Sequence, residues 1–103
     1  MTDTVQKKIK QIVEENKVVI FMKGTPDQPQ CGFSAKTIQC LSAVGVKPAA
    51  VDVLADPEIR DGVKQFTNWP TIPQVFIGGK FVGGCDIVTE LFERGELKQM
   101  VQG

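Results

Sequence analysis

The apolar run Val18 to Met22 stops abruptly at Lys23-Gly-Thr-Pro-Asp-Gln-Pro-Gln-Cys31-Gly-Phe-Ser34, and this break constrains the fold more than any other stretch. Five apolar residues bounded by turn formers have the length of a short buried strand. Gly24, Pro26 and Pro29 then rule out a regular element. Helical periodicity resumes from Ala35 to Val44, with Ile38, Leu41 and Val44 as the buried stripe. Cys31 therefore falls at a strand–loop–helix junction. The unpaired N–H groups and the dipole at such a helix start favour an anion over a neutral thiol. Lys23, at the far end of the loop, is a cation placed to fold back toward the same sulfur. Together these are the means by which proteins lower a thiol pKa. The position three residues on is Ser34, so the thiolate has no C-x-x-C partner. A free cysteine is more often a small buried hydrophobe, but the polar loop and Lys23 argue against burial here.

The rest of the composition narrows what such a thiol can do. A chain of 103 residues makes one domain with one core, taken as residues 1–103. Twelve basic residues balance twelve acidic ones, so no overall field draws the chain to nucleic acid or to an anionic membrane. The longest apolar run is five residues, too short to span a bilayer, and no secretory signal pattern opens the sequence. Three cysteines, an odd count, suit a reducing cytoplasm better than a secreted disulfide framework. Histidine is absent, which removes imidazole bases, Cys–His pairs and His-containing metal sites from this chain's own repertoire. Cys31, Cys40 and Cys85 lack the paired spacing of an intrachain zinc site.

Elsewhere the pattern is regular. Val5, Ile9, Ile12 and Val13 mark one face of an amphipathic helix over Thr2 to Asn16, with Thr2 or Asp3 as its cap. Cys40 falls inside the second helix as a core residue or a near-surface filler, and Gly45-Val46 ends that helix. Ala49 to Leu54 reads as a second strand. Asp56-Pro57-Glu58 has the composition of a helix start, and Ile59, Val63 and Phe66 give that helix its apolar face. Arg60 and Lys64, four apart, are neighbours on another face, and a solvated surface is the simplest account of them. Trp69-Pro-Thr-Ile-Pro73 carries two prolines in five residues, which points to a cis Ile72–Pro73 bond in a tight turn. The N–H and C=O of Ile72 would then be left outward, open to strand-like pairing with a peptide ligand. Gln74 to Ile77 and Lys80 to Val82 form a hairpin about Gly78-Gly79. Gly83-Gly84-Cys85-Asp86 leads into a helix with Asp86 as N-cap and Ile87, Val88, Leu91 and Phe92 inward. This second helix start is able to hold a carboxylate. Leu97, Met100 and Val101 close a short terminal helix. One βαβ unit followed by a hairpin gives a mixed four-stranded sheet with helices on both faces, the first two strands parallel.

With those pieces in order, the chain resembles a glutaredoxin of the monothiol, CGFS type from Lys17 to Val101. The matching segments are Phe21-Met-Lys-Gly24, the proline-bearing loop, Cys31-Gly-Phe-Ser34, Trp69-Pro-Thr-Ile-Pro73 and Gly83-Gly-Cys-Asp86. The resemblance implies an α/β thioredoxin fold, glutathione as ligand, and a role in storing or transferring a [2Fe–2S] cluster. It further implies a homodimer when cluster-bound, complexes with BolA-like proteins, and delivery to iron–sulfur apo-proteins. By the same resemblance Lys23 and Arg60 bind the glycyl carboxylate of glutathione. Ile72 supplies the backbone contact, and Cys85 and Asp86 receive the γ-glutamyl end. In some members a cysteine at the place of Cys85 pairs with the active-site cysteine.

Two functions remain open at this point. In one, the Cys31 thiolate and a glutathione thiolate each ligate iron, and two-fold symmetry supplies four sulfurs for one cluster. In the other, Cys31 reduces glutathione–protein mixed disulfides with a second glutathione as the resolving thiol, a monothiol route of at most weak activity. Ser34 permits either and excludes a dithiol mechanism.

Overall fold

The computed structural model describes residues 3–102, with the side chain of Asp3 left aside. The order is α1 (Asp3–Glu15), β1 (Val18–Met22), α2 (Gly32–Ala43), β2 (Ala49–Asp52), α3 (Pro57–Thr67), β3 (Gln74–Ile77), β4 (Lys80–Gly83), α4 (Cys85–Glu93) and α5 (Glu96–Gln102). The sheet runs β2-β1-β3-β4, with β1 parallel to β2 and antiparallel to β3, and β3 antiparallel to β4.

All five residues of β1 are buried because the sheet is covered on both sides. Val19 and Phe21 join α1 and α3 through Val5, Ile9, Val13, Ile59 and Val63, and Phe76 joins them from β3. Val18, Ile20 and Met22 point the other way, onto Cys40, Leu41, Val88, Leu97 and Val101 of α2, α4 and α5, with Val75 and Ile77 of β3. A strand buried on both faces reads as a continuous apolar run, as this one does. Each fully buried aliphatic side chain contributes about 1.5–3 kcal/mol. Gln6 Nε2 donates to Gly62 O at 3.1 Å and docks α1 on α3.

Several boundaries follow the expected chemistry. Asp56 caps α3, its carboxylate accepting from Ile59 N–H at 3.2 Å, with Pro57 in the first turn. At the end of α2, Gly45 N–H reaches Ser42 O and Val46 N–H reaches Leu41 O, both at 3.0 Å, and Gly45 has φ +81°. Gly78 and Gly79 both take positive φ, which a two-residue hairpin of this hand requires.

Other expectations are corrected. Helix α2 starts at Gly32, not Ala35, while Cys31 lies at its N-terminus as expected, as the N-cap residue. Its fully buried positions include Ser34 and Thr37, polar residues that the apolar stripe did not mark. Strand β2 ends at Asp52, because that carboxylate accepts Leu54 N–H at 2.9 Å and turns the chain. Helix α4 is capped by Gly84, not Asp86, and its inward face is narrower than expected: Val88 is buried, whereas Ile87 and Phe92 are exposed. Met100 is also exposed. Of the two expected caps of α1, Thr2 and the side chain of Asp3 lie outside the described residues.

Candidate functional site

The chain leaves the sheet at Lys23 and returns to it through a folded loop. Gly24 bridges to Pro29, and Gln30 N–H donates to Lys23 O at 2.9 Å. Gly24 has φ +89°, and a Cβ there would lie 2.5 Å from Gln28 O, so only glycine fits. Two side chains pin the loop's first residues to different elements. Lys23 N–H donates to Ser34 Oγ of α2 at 3.2 Å, and Gly24 N–H donates to Asp52 Oδ1 of β2 at 3.0 Å.

This anchoring sets Cys31 at the start of α2 in extended backbone, φ −150° and ψ 135°. Its sulfur makes no hydrogen bond of full capping geometry, yet the first-turn N–H groups are near enough to favour the thiolate. The Ser34 N–H lowers the Cys31 pKa most; partial burial opposes it, and the Phe33 N–H, the Lys23 charge and the Ser34 hydroxyl lower it further. The net result holds the thiol below its ordinary range. Ser34 is completely buried. Its hydroxyl staples the loop to the helix as well as standing where a resolving cysteine would.

A groove of about 480 Å³ opens from this sulfur. Three segments line it: Lys23, Cys31 and Phe33; Lys64 with Trp69 to Pro73; and Gly84 to Ile87. The Ile72–Pro73 bond is cis, as the paired prolines predict. Among the described residues the Ile72 backbone has no hydrogen-bond partner, which leaves a strand edge open. Gly84 lets α4 close on this turn, since a Cβ there would meet Pro73 O at 3.0 Å and Trp69 Nε1 at 3.6 Å. The first N–H groups of α4 thus open on the groove without intrahelical partners. Cys85 is buried, its Sγ 3.9 Å from Thr89 Oγ1, and Asp86 is exposed beside it.

Lys23, Cys31, Ile72, Cys85 and Asp86 therefore share one groove. Arg60 is not among its lining residues: it pairs with Asp61 at 3.3 Å, whereas Lys64, one turn further along α3, lines the groove. The four-residue spacing made them neighbours without saying which of the two lines the groove.

Sequence reasoning missed two polar supports, Asp52 and Gln74. Gln74 opens β3 and is fully buried. Its Nε2 donates to Trp69 O at 3.0 Å and Thr71 O at 3.1 Å, and its Oε1 accepts from Thr67 Oγ1 at 2.9 Å. Thr67 Oγ1 in turn accepts Trp69 N–H at 3.2 Å. The available signal was a glutamine at the head of an otherwise apolar strand. Trp69 itself is tied to the core through rings, packing on Phe81 at 5.9 Å, which meets Phe76 at 5.5 Å, which meets Phe21 at 5.6 Å.

A mixed four-stranded sheet between two helical layers, with an N-capping thiol facing a cis-proline turn, defines a thiol protein of the thioredoxin fold. The glutaredoxin family model matches residues 18–82. A monothiol glutaredoxin of Synechocystis sp., itself uncharacterised, is 51% identical over 102 residues, covering 99% of this chain and 95% of that protein. Glutaredoxin 4 of Escherichia coli is 47% identical over 102 residues, covering 99% of this chain and 88% of its own. The crystal structure of a buckwheat glutaredoxin–glutathione complex superposes with a TM-score of 0.86 at 28% identity, over 99% of this chain and 94% of that one. The chain belongs to the glutaredoxin family and is of its monothiol type.

Proposed function

We propose that this glutaredoxin binds glutathione in the groove and uses the Cys31 thiolate, with the glutathione thiol, to hold a [2Fe–2S] cluster that it passes to apo-proteins. The cluster is cargo. The observation that carries the reading is the placement of Cys31: an acidified thiol at the N-terminus of α2, bordering a groove whose lining includes Lys23, Lys64 and the start of α4. Glutathione is an extended peptide with two carboxylates. Lys23 and Lys64 suit the carboxylate nearer the thiol, with Arg60 one turn away on the same helix. The Ile72 edge suits the peptide, and the start of α4 at Cys85 and Asp86 suits the γ-glutamyl end.

Ligand counting supports a shared site. A [2Fe–2S] centre takes four ligands besides its own sulfides. Among the described residues no three His, Cys, Asp or Glu side chains converge to hold a metal. Cys40 is turned into the core and Cys85 is buried, so one chain offers one accessible thiolate and the tripeptide a second. Two-fold symmetry then gives four. Three free thiols also suit a reducing, cytoplasmic setting.

Anaerobic reconstitution with ferrous iron, sulfide and glutathione tests this. The expected product is a brown dimer with one cluster, bleached when glutathione is stripped by gel filtration. Cys31→Ser abolishes assembly and Cys40→Ser leaves it intact. A cluster that forms equally well without any small thiol returns the reading to the mixed-disulfide oxidoreductase.

A further inference from the structure

We infer that Gln74 is the positioning residue of the groove, its carboxamide setting where the Trp69–Pro73 segment presents its peptide edge to the ligand; this rests on the reading of the groove as a glutathione site. The segment contributes much of the lining, yet the Ile72 backbone has no partner of its own. Something else must fix it. Gln74 is the first residue of β3, and its backbone is registered opposite Phe21 of β1, the best-buried strand of the sheet. Its side chain runs back along the segment and donates both amide hydrogens, one to Trp69 O and one to Thr71 O. These two carbonyls bracket Pro70, which has no N–H to give. The remaining oxygen lies 2.9 Å from the hydroxyl of Thr67, the last residue of α3, whose one proton it shares with Val63 O at 3.0 Å and which also receives Trp69 N–H.

One side chain thus ties the end of α3, the groove wall and the central sheet together. The chemistry is specific to an amide. Two donors and one acceptor are needed at one end of a buried side chain. A glutamate in its place would turn an oxygen toward carbonyls that require a donor, and an apolar residue would leave them unpaired. None of these atoms touches the thiol, whose acidity comes from α2 and Lys23. The wall and the thiolate are therefore set by separate parts of the fold.

That separation supplies the test. Gln74→Met keeps side-chain volume and removes all three hydrogen bonds. Glutathione affinity, measured by calorimetry, is expected to fall about tenfold, because a displaced edge no longer matches the peptide. The pH profile of Cys31 alkylation should stay where it is in the wild type. Thr67→Val, which removes the partner of Oε1, should weaken binding in the same direction, whereas Thr67→Ser restores it. If Gln74→Met does not fold, the Thr67 pair carries the test. Wild-type affinity in Gln74→Met or Thr67→Val overturns the proposal, as does an equal loss in Thr67→Ser. A shift of the Cys31 profile in a folded Gln74→Met also overturns it, since that marks general loosening. Lys23→Ala is the control on the underlying reading: if neither wild type nor Lys23→Ala binds glutathione, the groove assignment fails rather than the role of Gln74.

Discussion

Asp52 offers the sharpest quantitative test of how the cysteine loop is held. One carboxylate oxygen accepts two backbone hydrogen bonds, from Gly24 at 3.0 Å and from Leu54 at 2.9 Å. The two are not equivalent. Leu54 is exposed, and water can take over its N–H when the carboxylate is removed. Gly24 is buried, so its N–H would be orphaned, at a cost of about 1–3 kcal/mol. Asp52→Ala should therefore lower stability by about 2 kcal/mol, most of it from the one buried donor. Asp52→Asn keeps an acceptor and loses only the charge, and should cost about half as much. Urea denaturation measures both, and the change should appear in the midpoint with the slope unchanged. Because Gly24 adjoins Lys23, the alanine variant should also move the Cys31 alkylation profile to higher pH. A loss below about 0.5 kcal/mol, the usual range of an unremarkable surface change, would show that the loop does not depend on this carboxylate.

The alkylation rate of Cys31, followed against pH in a Cys40→Ser/Cys85→Ser background, should reach half its plateau below the ordinary thiol range, and Lys23→Ala should raise that midpoint; an unshifted wild-type midpoint refutes the acidification. The sign for stability follows: a thiol whose folded pKa is depressed stabilises the fold above the unfolded thiol pKa, and this contribution is lost as pH falls through the lowered folded value. Stability of wild type minus Cys31→Ala should therefore grow on passing upward through that interval. Glutathione titration should show Lys64→Ala weakening binding more than Arg60→Ala; the reverse order would mean that the Arg60 side chain swings from Asp61 into the groove on binding. Gly84→Ala should weaken binding and lower the melting temperature together, since the added methyl meets Pro73 O at 3.0 Å; wild-type behaviour in both would show that α4 can shift away at no cost.

What could be read from the sequence follows physical lines. Strand β1 was legible because burial on both faces leaves an uninterrupted apolar run, and α3 because Asp56, Pro57 and the Ile59/Val63/Phe66 stripe all agree. The cis turn was legible from its two prolines. The start of α2 was not: Gly32, Phe33 and Ser34 have no apolar periodicity, and the cap is a cysteine, which lacks the oxygen of an ordinary N-cap. Asp86 matched a capping residue by type, but Gly84 takes that place, where a side chain would press on Pro73 O at 3.0 Å. Ile87 and Phe92 fit an inward stripe by spacing, yet α4 borders the groove, which leaves Ile87 at its edge. Asp52 and Gln74 were invisible for a different reason. Their partners lie on other segments, and no local pattern announces a tertiary hydrogen bond.

The aromatic stack that ties Trp69 to the core has a practical consequence. The chain contains one tryptophan and no tyrosine. Its near-ultraviolet emission therefore arises almost wholly from one indole, 38% exposed, on the wall of the groove and resting on Phe81. A ligand entering beside it changes its access to water and to a soluble quencher such as iodide, while unfolding separates it from Phe81 altogether. The protein carries its own optical reporter at the site of interest, and occupancy and folding can be followed in the same cuvette without a label.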